Sequence, residues 1–214
     1  GGILDLNNPQ IQQELKSLGL QGLIKKYVVD KAKEPLINTL NAKKGVKKWD
    51  LATWRWFKLN FIEGQPQKTI VFFPDNNLEG VFDLALIQQM LRLNPNLTVY
   101  FVPKSRQVSN DFSYQDTGEV VKNRYFADLK NNSNFKVIMT GPTIQGMDLR
   151  YVSKDLAKAL RQADLVITKG QANAECSWGL KKDRLYLFMS KGYAIQPLSH
   201  VQAGDKEKEV FIAY

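Results

Sequence analysis

Residues 68 to 91 read KTIVFFPDNNLEGVFDLALIQQML, and this stretch decides the fold. The four apolar residues that start at Ile70 are typical of a buried strand, and a helical pattern begins shortly after Pro74. Asp75 and Asn76 stand between the two elements. In an open α/β sheet, ligands usually bind where a buried strand ends and a helix begins. The stretch therefore predicts an α/β fold and a candidate site together.

Asp75 and Asn76 have two interpretations when they are taken alone. A carboxylate and an amide oxygen are hard ligands that suit Mg²⁺ or Mn²⁺. Asp and Asn are also favoured at the N-cap of a helix, where a side-chain oxygen accepts a backbone N–H. Capping is the more common role for such a dipeptide, and the other loops of the chain are what favour a metal site.

The sequence downstream alternates between strand and helix patterns. Strands are predicted at 69–73, 97–102, 135–139, 164–167 and 185–189, and helices at about 80–93, 114–128 and 153–162. This alternation predicts a mainly parallel, doubly wound sheet sandwiched by helices. Residues 3–61 show helical spacing, and a Gly-Gln-Pro turn closes them. We therefore predict an N-terminal helical part at 1–66 and an α/β domain at 67–214.

Three of the four tryptophans lie in the segment 49–61, which reads WDLATWRWFKLNF. Clusters of large aromatic side chains more often build a core than a ligand pocket. No motif accompanies this segment. We therefore expect Trp54 and Trp56 to be structural, packing the helical part against the sheet.

The composition narrows the range of partners. The chain has 214 residues, 43% of them hydrophobic, and a net charge of +9. A basic balance favours anionic partners such as phosphorylated metabolites. No basic run of five residues and no aromatic RNA-binding signature supports nucleic acid. No apolar run approaches the roughly 20 residues that a membrane helix requires. The charge alone is also compatible with a solvated lysine-rich surface, and we expect neither a nucleic-acid partner nor a membrane span.

One cysteine and one histidine limit the chemistry further. Cys176 alone excludes an internal disulfide and a cysteine-based zinc site, and it is compatible with a reducing cytoplasm, which is the expected location. His200 lies in a polar segment near the end of the sequence, so we expect it at the surface. A Ser-His-Asp triad around a central histidine is therefore poorly supported.

Polar residues or glycines follow four of the predicted strands, and a fifth cluster lies in a loop. The five clusters are Asp75-Asn76, Asn110-Asp111, Thr140-Gly141, Lys169-Gly170 and Lys191-Gly192. Parallel strands place their carboxyl ends on one edge of the sheet, so these residues could converge. Their oxygens could hold an octahedral divalent cation, and their lysines could neutralise a phosphate bound to it.

Four motifs in one order resemble those of a known family. They are DNNLEGVFDL at 75–84, KSRQVSNDFSYQD at 104–116, GMDL at 146–149 and ADLVITKGQANAE at 163–175. The chain resembles the damage-control phosphatase family, also called DUF89, which includes the ARMT1-like domain. The resemblance covers about residues 68–192. Asn77 and Leu78 depart from it, because the family has alanine and glycine there, and a glycine can serve close backbone approach or a positive φ.

The resemblance implies an α/β sandwich with a helical subdomain and a metal-dependent phosphatase activity. The implied substrates are small phosphorylated metabolites, either sugar phosphates or damaged phosphometabolites. The implied ligands of a divalent ion (Mn, Mg, Co or Ni) are Asp75, Asn76 and Asp111. Lys169 is implied to contact the substrate phosphate, and all four residues are expected to be catalytic. Further substrate contacts are expected from Lys104, Asn110, Thr140, Gly141, Asn173 and Lys191.

Alternatives to this function stay open at the level of sequence. Asp75 could be a nucleophile, but phosphatases of that kind usually show Asp-x-Asp, and Asn77 occupies the third position. Direct attack by water is therefore favoured. A carboxyl methyltransferase is disfavoured, because no glycine-rich loop of the expected type follows the first strand. A catalytically silent binding domain of a larger protein is the third possibility.

Overall fold

A computed structural model describes residues 55–177, 180–190 and 208–213, together with Pro9, Gln13, Lys16 and Ser17. These four isolated positions are helical, as predicted for the N-terminal part. Trp54, Lys191 and His200 lie outside the described residues, so the predictions made for them stay predictions. In the part of the chain that the structure describes, no helix combines the length and apolar character needed to cross a membrane.

Within the described residues, six strands form one sheet with the spatial order β3-β2-β1-β4-β5-β6. Their bounds are β1 Lys68–Phe73, β2 Leu97–Phe101, β3 Phe135–Val137, β4 Leu165–Lys169, β5 Arg184–Ser190 and β6 Lys208–Ala213. The first five strands are parallel, and β6 runs antiparallel to β5 along one edge. This confirms the predicted mainly parallel α/β sheet. The edge strand β6 was not predicted.

Helices connect the parallel strands. Their bounds are α1 Asn77–Leu93, α2 Tyr114–Val120, α3 Ala127–Lys130, α4 Lys154–Gln162 and α5 Gln171–Ser177. The helix predicted at 114–128 ends at Val120, and further along the Asn123 side chain accepts a hydrogen bond from the Tyr125 backbone N–H at 2.9 Å. That contact starts a 3₁₀ turn at Arg124–Phe126. A local side-chain bond of this type competes with continuation of the α-helix.

Both faces of the sheet are buried, as expected for a sheet between two helical layers. Ile70 and Phe72 of β1 point into a core that includes the apolar face of α1. Val71 and Phe73 alternate with them and point into a second core with Leu156 of α4. The alternation follows from the period of two along a strand. Full burial of each such side chain contributes about 1.5–3 kcal/mol.

The end of the predicted helical part packs into the first core. Phe57 and Phe61 are buried there, and Trp56 packs against the cluster with its ring edge-on to Phe61 at 5.5 Å. The buried Asn94 side chain donates to the carbonyls of Phe61 and Pro66 at 2.7 and 2.9 Å. The structural prediction for Trp56 is confirmed, while the division of the chain at residue 66 stays a prediction.

The strand order contains one reversal of direction. The chain winds from β1 through β2 to β3 on one side, and β4 then returns to pair with β1 before the chain continues to β5. The carboxyl ends of β1 and β4 therefore flank a topological switch point, which is where open α/β sheets bind ligands. Asp75 and Lys169 lie at these two ends.

Candidate active site

Asp75 and Gly170 meet across the switch point. Gly170 follows β4 with φ +82°, a left-handed conformation that favours glycine. A Cβ at this position would overlap with the carboxylate of Asp75. The glycine is therefore required twice, once for its backbone angle and once for the space that the carboxylate occupies.

Asn76 is the N-cap of α1. Its Oδ1 accepts from the backbone N–H of Glu79 at 3.1 Å, and its Nδ2 donates to Glu79 Oε1 at 2.8 Å. The capping interpretation is thus confirmed for Asn76. Capping and metal binding remain compatible, because an amide oxygen carries two lone pairs. The reciprocal contact with Glu79 fixes which way the amide faces.

The loop of the second motif lies directly beside the loop of the first. Asn76 and Asp111 form an antiparallel bridge. The Phe112 N–H donates to the Asp75 carbonyl at 2.8 Å, and the Asn77 N–H donates to the Asn110 carbonyl at 2.8 Å. These backbone bonds bring the loop of Asp75 and Asn76 next to that of Asp111, although Asp75 and Asp111 are 36 residues apart in sequence.

The two departures from the family pattern are accommodated. With the amide nitrogen of Asn77 facing its neighbours, it donates to the Asp111 carbonyl at 2.7 Å and adds a link between the two loops. Leu78 lies in the first turn of α1. Among described residues other than glycine, a positive φ occurs at Gln65 and Ser109 and not at Leu78. The backbone conformation at position 78 therefore does not require glycine.

Lys104 is the ionic partner of Asp111. Its ammonium donates to the Gly146 carbonyl and to Asn173 Oδ1 at 3.1 Å, and it lies 3.6 Å from Asp111 Oδ2. Burial lowers the pKa of Lys104 and raises the pKa of Asp111, although each group opposes the shift of the other. Lys104 and Asn173 are both buried. This burial favours a supporting role, and substrate contact by either stays a prediction.

The Thr140-Gly141 loop is joined to the second motif by Ser105. The Ser105 hydroxyl donates to the Gly141 carbonyl at 2.8 Å and accepts from the Gly141 N–H at 3.0 Å. Thr140 is buried, whereas Gly141 and Asn110 are exposed. Gly141 and Asn110 are therefore the more accessible of the predicted substrate-binding residues, and the roles of all three stay predictions.

Lys169 is held by two carboxylates that received no role from the sequence. Its ammonium lies 2.9 and 3.1 Å from the oxygens of Asp83 and 2.8 Å from Glu79 Oε2. Burial raises the pKa of Asp83 to about 6, against the pull of Lys169. Burial alone would lower the pKa of Lys169, but the two carboxylates outweigh it and the pKa is raised.

Both carboxylates were visible in the motif DNNLEGVFDL, as its Glu and the Asp of its FDL tail. Their spacing of four residues places Glu79 and Asp83 on one face of α1. That spacing was the available signal for a shared cation. It did not identify Lys169, because 86 residues separate Lys169 from Asp83.

The donor set fits a hard divalent cation. Asp75 and Asp111 supply carboxylate oxygens, and Asn76 supplies an amide oxygen, all from two loops joined by backbone hydrogen bonds. Among the described residues, no group of three or more His, Cys, Asp and Glu side chains is arranged to hold a metal. The predicted set has two carboxylates, so a cation there would take its other ligands from the amide, water or substrate.

Fold and site together define a doubly wound α/β protein with an oxygen-rich, lysine-supported site at the carboxyl edge of its sheet. The model of the damage-control phosphatase ARMT1-like domain matches residues 2–206. The chain belongs to this family, and the resemblance seen in its motifs is confirmed.

Individual relatives agree with this assignment. The chain is 30% identical to a damage-control phosphatase from Pyrococcus horikoshii over 129 residues, which is 60% of this chain and 42% of that protein. It is 27% identical to a damage-control phosphatase from Archaeoglobus fulgidus over 142 residues, 66% of this chain and 46% of the relative. The crystal structure of a DUF89 family protein from P. horikoshii matches with a TM-score of 0.58 and 28% identity, covering 68% of this chain and 47% of that one. The chain therefore spans less than half the length of these relatives.

Proposed function

We propose that this protein is a metal-dependent phosphatase acting on small phosphorylated metabolites, either sugar phosphates or damaged phosphometabolites. The observation that carries the proposal is the junction of the Asp75-Asn76 and Asp111 loops at the switch point of the sheet. Two relatives are named damage-control phosphatases, which supports the same activity class. The expected cytoplasmic location and the absence of a nucleic-acid partner stay predictions.

Asp75, Asn76 and Asp111 would hold the cation, with Mn²⁺, Mg²⁺, Co²⁺ and Ni²⁺ as the candidates. When bound, such an ion supplies Lewis-acid polarisation of the phosphoryl oxygens. The residues of the chain fix the ligand positions: Gly170 sets the space for the Asp75 carboxylate, and Glu79 orients the Asn76 amide. Lys104 lies 3.6 Å from Asp111 and limits the repulsion among the carboxylates.

Lys169 is the proposed contact for the phosphoryl group. Lys169 is the last residue of β4 and directly precedes Gly170, against which the Asp75 carboxylate packs. A cation in contact with the phosphoryl group would stabilise the charge that develops on it. Asn110 and Gly141 border the same edge in exposed loops and are proposed to contact the rest of the substrate.

A catalytically silent binding domain is the second candidate. The observation in its favour is the length of the chain, which covers less than half of the relatives it matches. Such a domain would bind the cation and phosphorylated ligands without turnover. Metal binding and catalysis must therefore be measured separately.

The test combines phosphate release with metal calorimetry. Purified protein is assayed with p-nitrophenyl phosphate and sugar phosphates in the presence of each of the four cations. Asp111→Ala should abolish metal binding and also lower the melting temperature, because the buried Lys104 ammonium loses its ionic partner at 3.6 Å. Asp128→Ala is the control, since Asp128 pairs with Arg92 on an exposed surface. Wild-type protein that releases no phosphate with any cation would sink the enzyme proposal, and unchanged metal affinity in Asp111→Ala would sink the ligand assignment.

A further inference from the structure

The Lys169 cluster, made of Lys169, Asp83 and Glu79, contains one cation and two carboxylates. Among the described residues, the ammonium has three short contacts: 2.9 and 3.1 Å to the oxygens of Asp83, and 2.8 Å to Glu79. An ammonium has three N–H donors, and these three contacts match that number. With both carboxylates ionised, the cluster carries one excess negative charge. In that state it would repel a phosphate rather than attract it.

The two carboxylates are not equivalent. Asp83 lies in the second turn of α1 with its side chain 7% exposed, and both of its oxygens face the ammonium. Glu79 lies in the first turn with its side chain 31% exposed, and it contacts the ammonium through one oxygen. The other oxygen of Glu79 accepts from Asn76 Nδ2 at 2.8 Å.

This asymmetry decides which bond can be exchanged. Breaking the Asp83 contact would leave a carboxylate buried without its cation, which is strongly unfavourable. Breaking the Glu79 contact costs less, because its carboxylate reaches solvent and keeps the hydrogen bond from Asn76. The ammonium can thus change one partner while the other holds it in place.

We propose that Asp83 is a positioning residue that anchors Lys169 permanently, and that Glu79 is the partner which the phosphoryl group of the substrate replaces. This inference rests on the proposed function. After the exchange, Lys169 bridges Asp83 and the phosphoryl group, and Glu79 continues to orient the Asn76 amide. Glu79 acts in the free protein as a competitor for the phosphate site.

The inference predicts opposite signs for two substitutions that each remove one carboxylate charge. Inorganic phosphate is the probe, and its binding is measured by calorimetry with the protein saturated in Mn²⁺. Asp83→Asn should weaken phosphate binding by ~10-fold or more, because the anchor of a charge-assisted contact is lost. Glu79→Gln should tighten phosphate binding by several-fold, on the order of 1 kcal/mol, because the competing charge is gone.

Asp164→Asn is the matched control. Asp164 forms an ion pair with Lys68 at 3.1 Å at the opposite ends of the same two strands, β1 and β4. Its removal should leave phosphate binding within twofold of wild type. Mn²⁺ affinity is measured first for every variant, since Glu79 also contacts Asn76. Asp83→Glu restores the charge and should recover part of the lost affinity, which a purely structural role for Asp83 would not produce.

The outcomes separate the inference from the proposed function. Weaker phosphate binding in both Glu79→Gln and Asp83→Asn would overturn the inference while leaving a phosphate site in place. Wild-type protein that binds no phosphate with Mn²⁺ present would overturn the proposed function and the inference together. If Asp83→Asn does not fold, the sign of the Glu79→Gln effect decides: tighter binding supports exchange, and unchanged or weaker binding refutes it.

Discussion

Two lysine–aspartate contacts lie at opposite ends of the strands β1 and β4. At the amino ends, Lys68 pairs with Asp164 at 3.1 Å, and both side chains are about one-third exposed, at 34% and 36%. At the carboxyl ends, Lys169 pairs with Asp83, with exposures of 16% and 7%. In the amino-end pair, Asp164 also accepts a hydrogen bond from the Thr69 backbone N–H at 2.8 Å. The carboxyl-end pair has a second carboxylate, that of Glu79.

The two ends differ in how far stability accounts for their ion pairs. An exposed ion pair contributes about 0–1 kcal/mol, so the amino-end pair can be lost at little cost. Buried charges lose their hydration, and a hydrophobic replacement of a whole buried pair is often as stable. Stability alone therefore does not explain the Lys169 cluster. Its position at the switch point, beside Asp75 and Gly170, favours a role in binding an anion.

The largest expected effect is that of Lys169→Met. Methionine keeps most of the stem and removes the charge, so turnover should fall by ~10²–10³ through loss of one transition-state contact. Inhibition by phosphate should weaken, while Mn²⁺ affinity should stay almost unchanged. Steady-state kinetics and calorimetry measure these quantities, with Lys68→Met as the control at the other end. Activity of Lys169→Met within a few-fold of wild type would show that Lys169 has no such role.

The pH dependence of the free energy of unfolding should report on Asp83 at the carboxyl ends of the strands. Because burial raises the pKa of Asp83 to about 6, from an ordinary value of 3.8, the native state keeps a proton between these values that the unfolded state has lost. The free energy of unfolding should therefore fall as pH rises from about 4 to about 6, by about 3 kcal/mol for the full shift. Asp111, whose pKa is also raised, contributes in the same direction.

Urea denaturation at a series of pH values measures this slope. Asp83→Asn should make it shallower, because the residue that takes up the proton is gone. A slope that does not differ between Asp83→Asn and wild type would assign the pH dependence to other groups.

Gly170→Ala should have a smaller effect, which is a loss of metal affinity. The new Cβ would overlap with the Asp75 carboxylate and would also require an unfavourable backbone at φ +82°. Displacing a ligand through a neighbour typically lowers metal affinity by ~10–100-fold. Gly118→Ala in α2 is the control, since a Cβ there meets no atom within 4 Å. Calorimetry with Mn²⁺ distinguishes them, and equal affinity in both variants would contradict the placement of Asp75.

The smallest expected effect is that of Asp164→Asn at the amino end. The variant loses one exposed ion pair, and its amide oxygen can still accept from the Thr69 N–H. The free energy of unfolding should change by less than ~1 kcal/mol, with normal phosphatase kinetics. A loss above ~2 kcal/mol in urea denaturation would show that the two ends of the sheet are less different than their burial indicates.

The sheet was predictable because its signals are local. Continuous apolar runs such as Ile70–Phe73 report burial on both faces, and the alternation with helices leaves a parallel arrangement as the default. Where the predicted helix was wrong, a local side-chain hydrogen bond to the backbone accompanies the difference. The helix predicted at 114–128 ends at Val120, and the Asn123 side chain caps a separate 3₁₀ turn that follows it.

For the site, the residue types and the edge of the sheet followed from the sequence, while the partners did not. Motif order identified Asp75, Asn76, Asp111 and Lys169 as candidates, since strand ends and family motifs are one-dimensional features. That Asn76 and Asp111 are bridged follows only from the fold. The same holds for the contact between Lys169 and Asp83, which are 86 residues apart. Local sequence specifies which strand a side chain follows, but the pairing of β1 with β4 decides which side chains then share one buried charge.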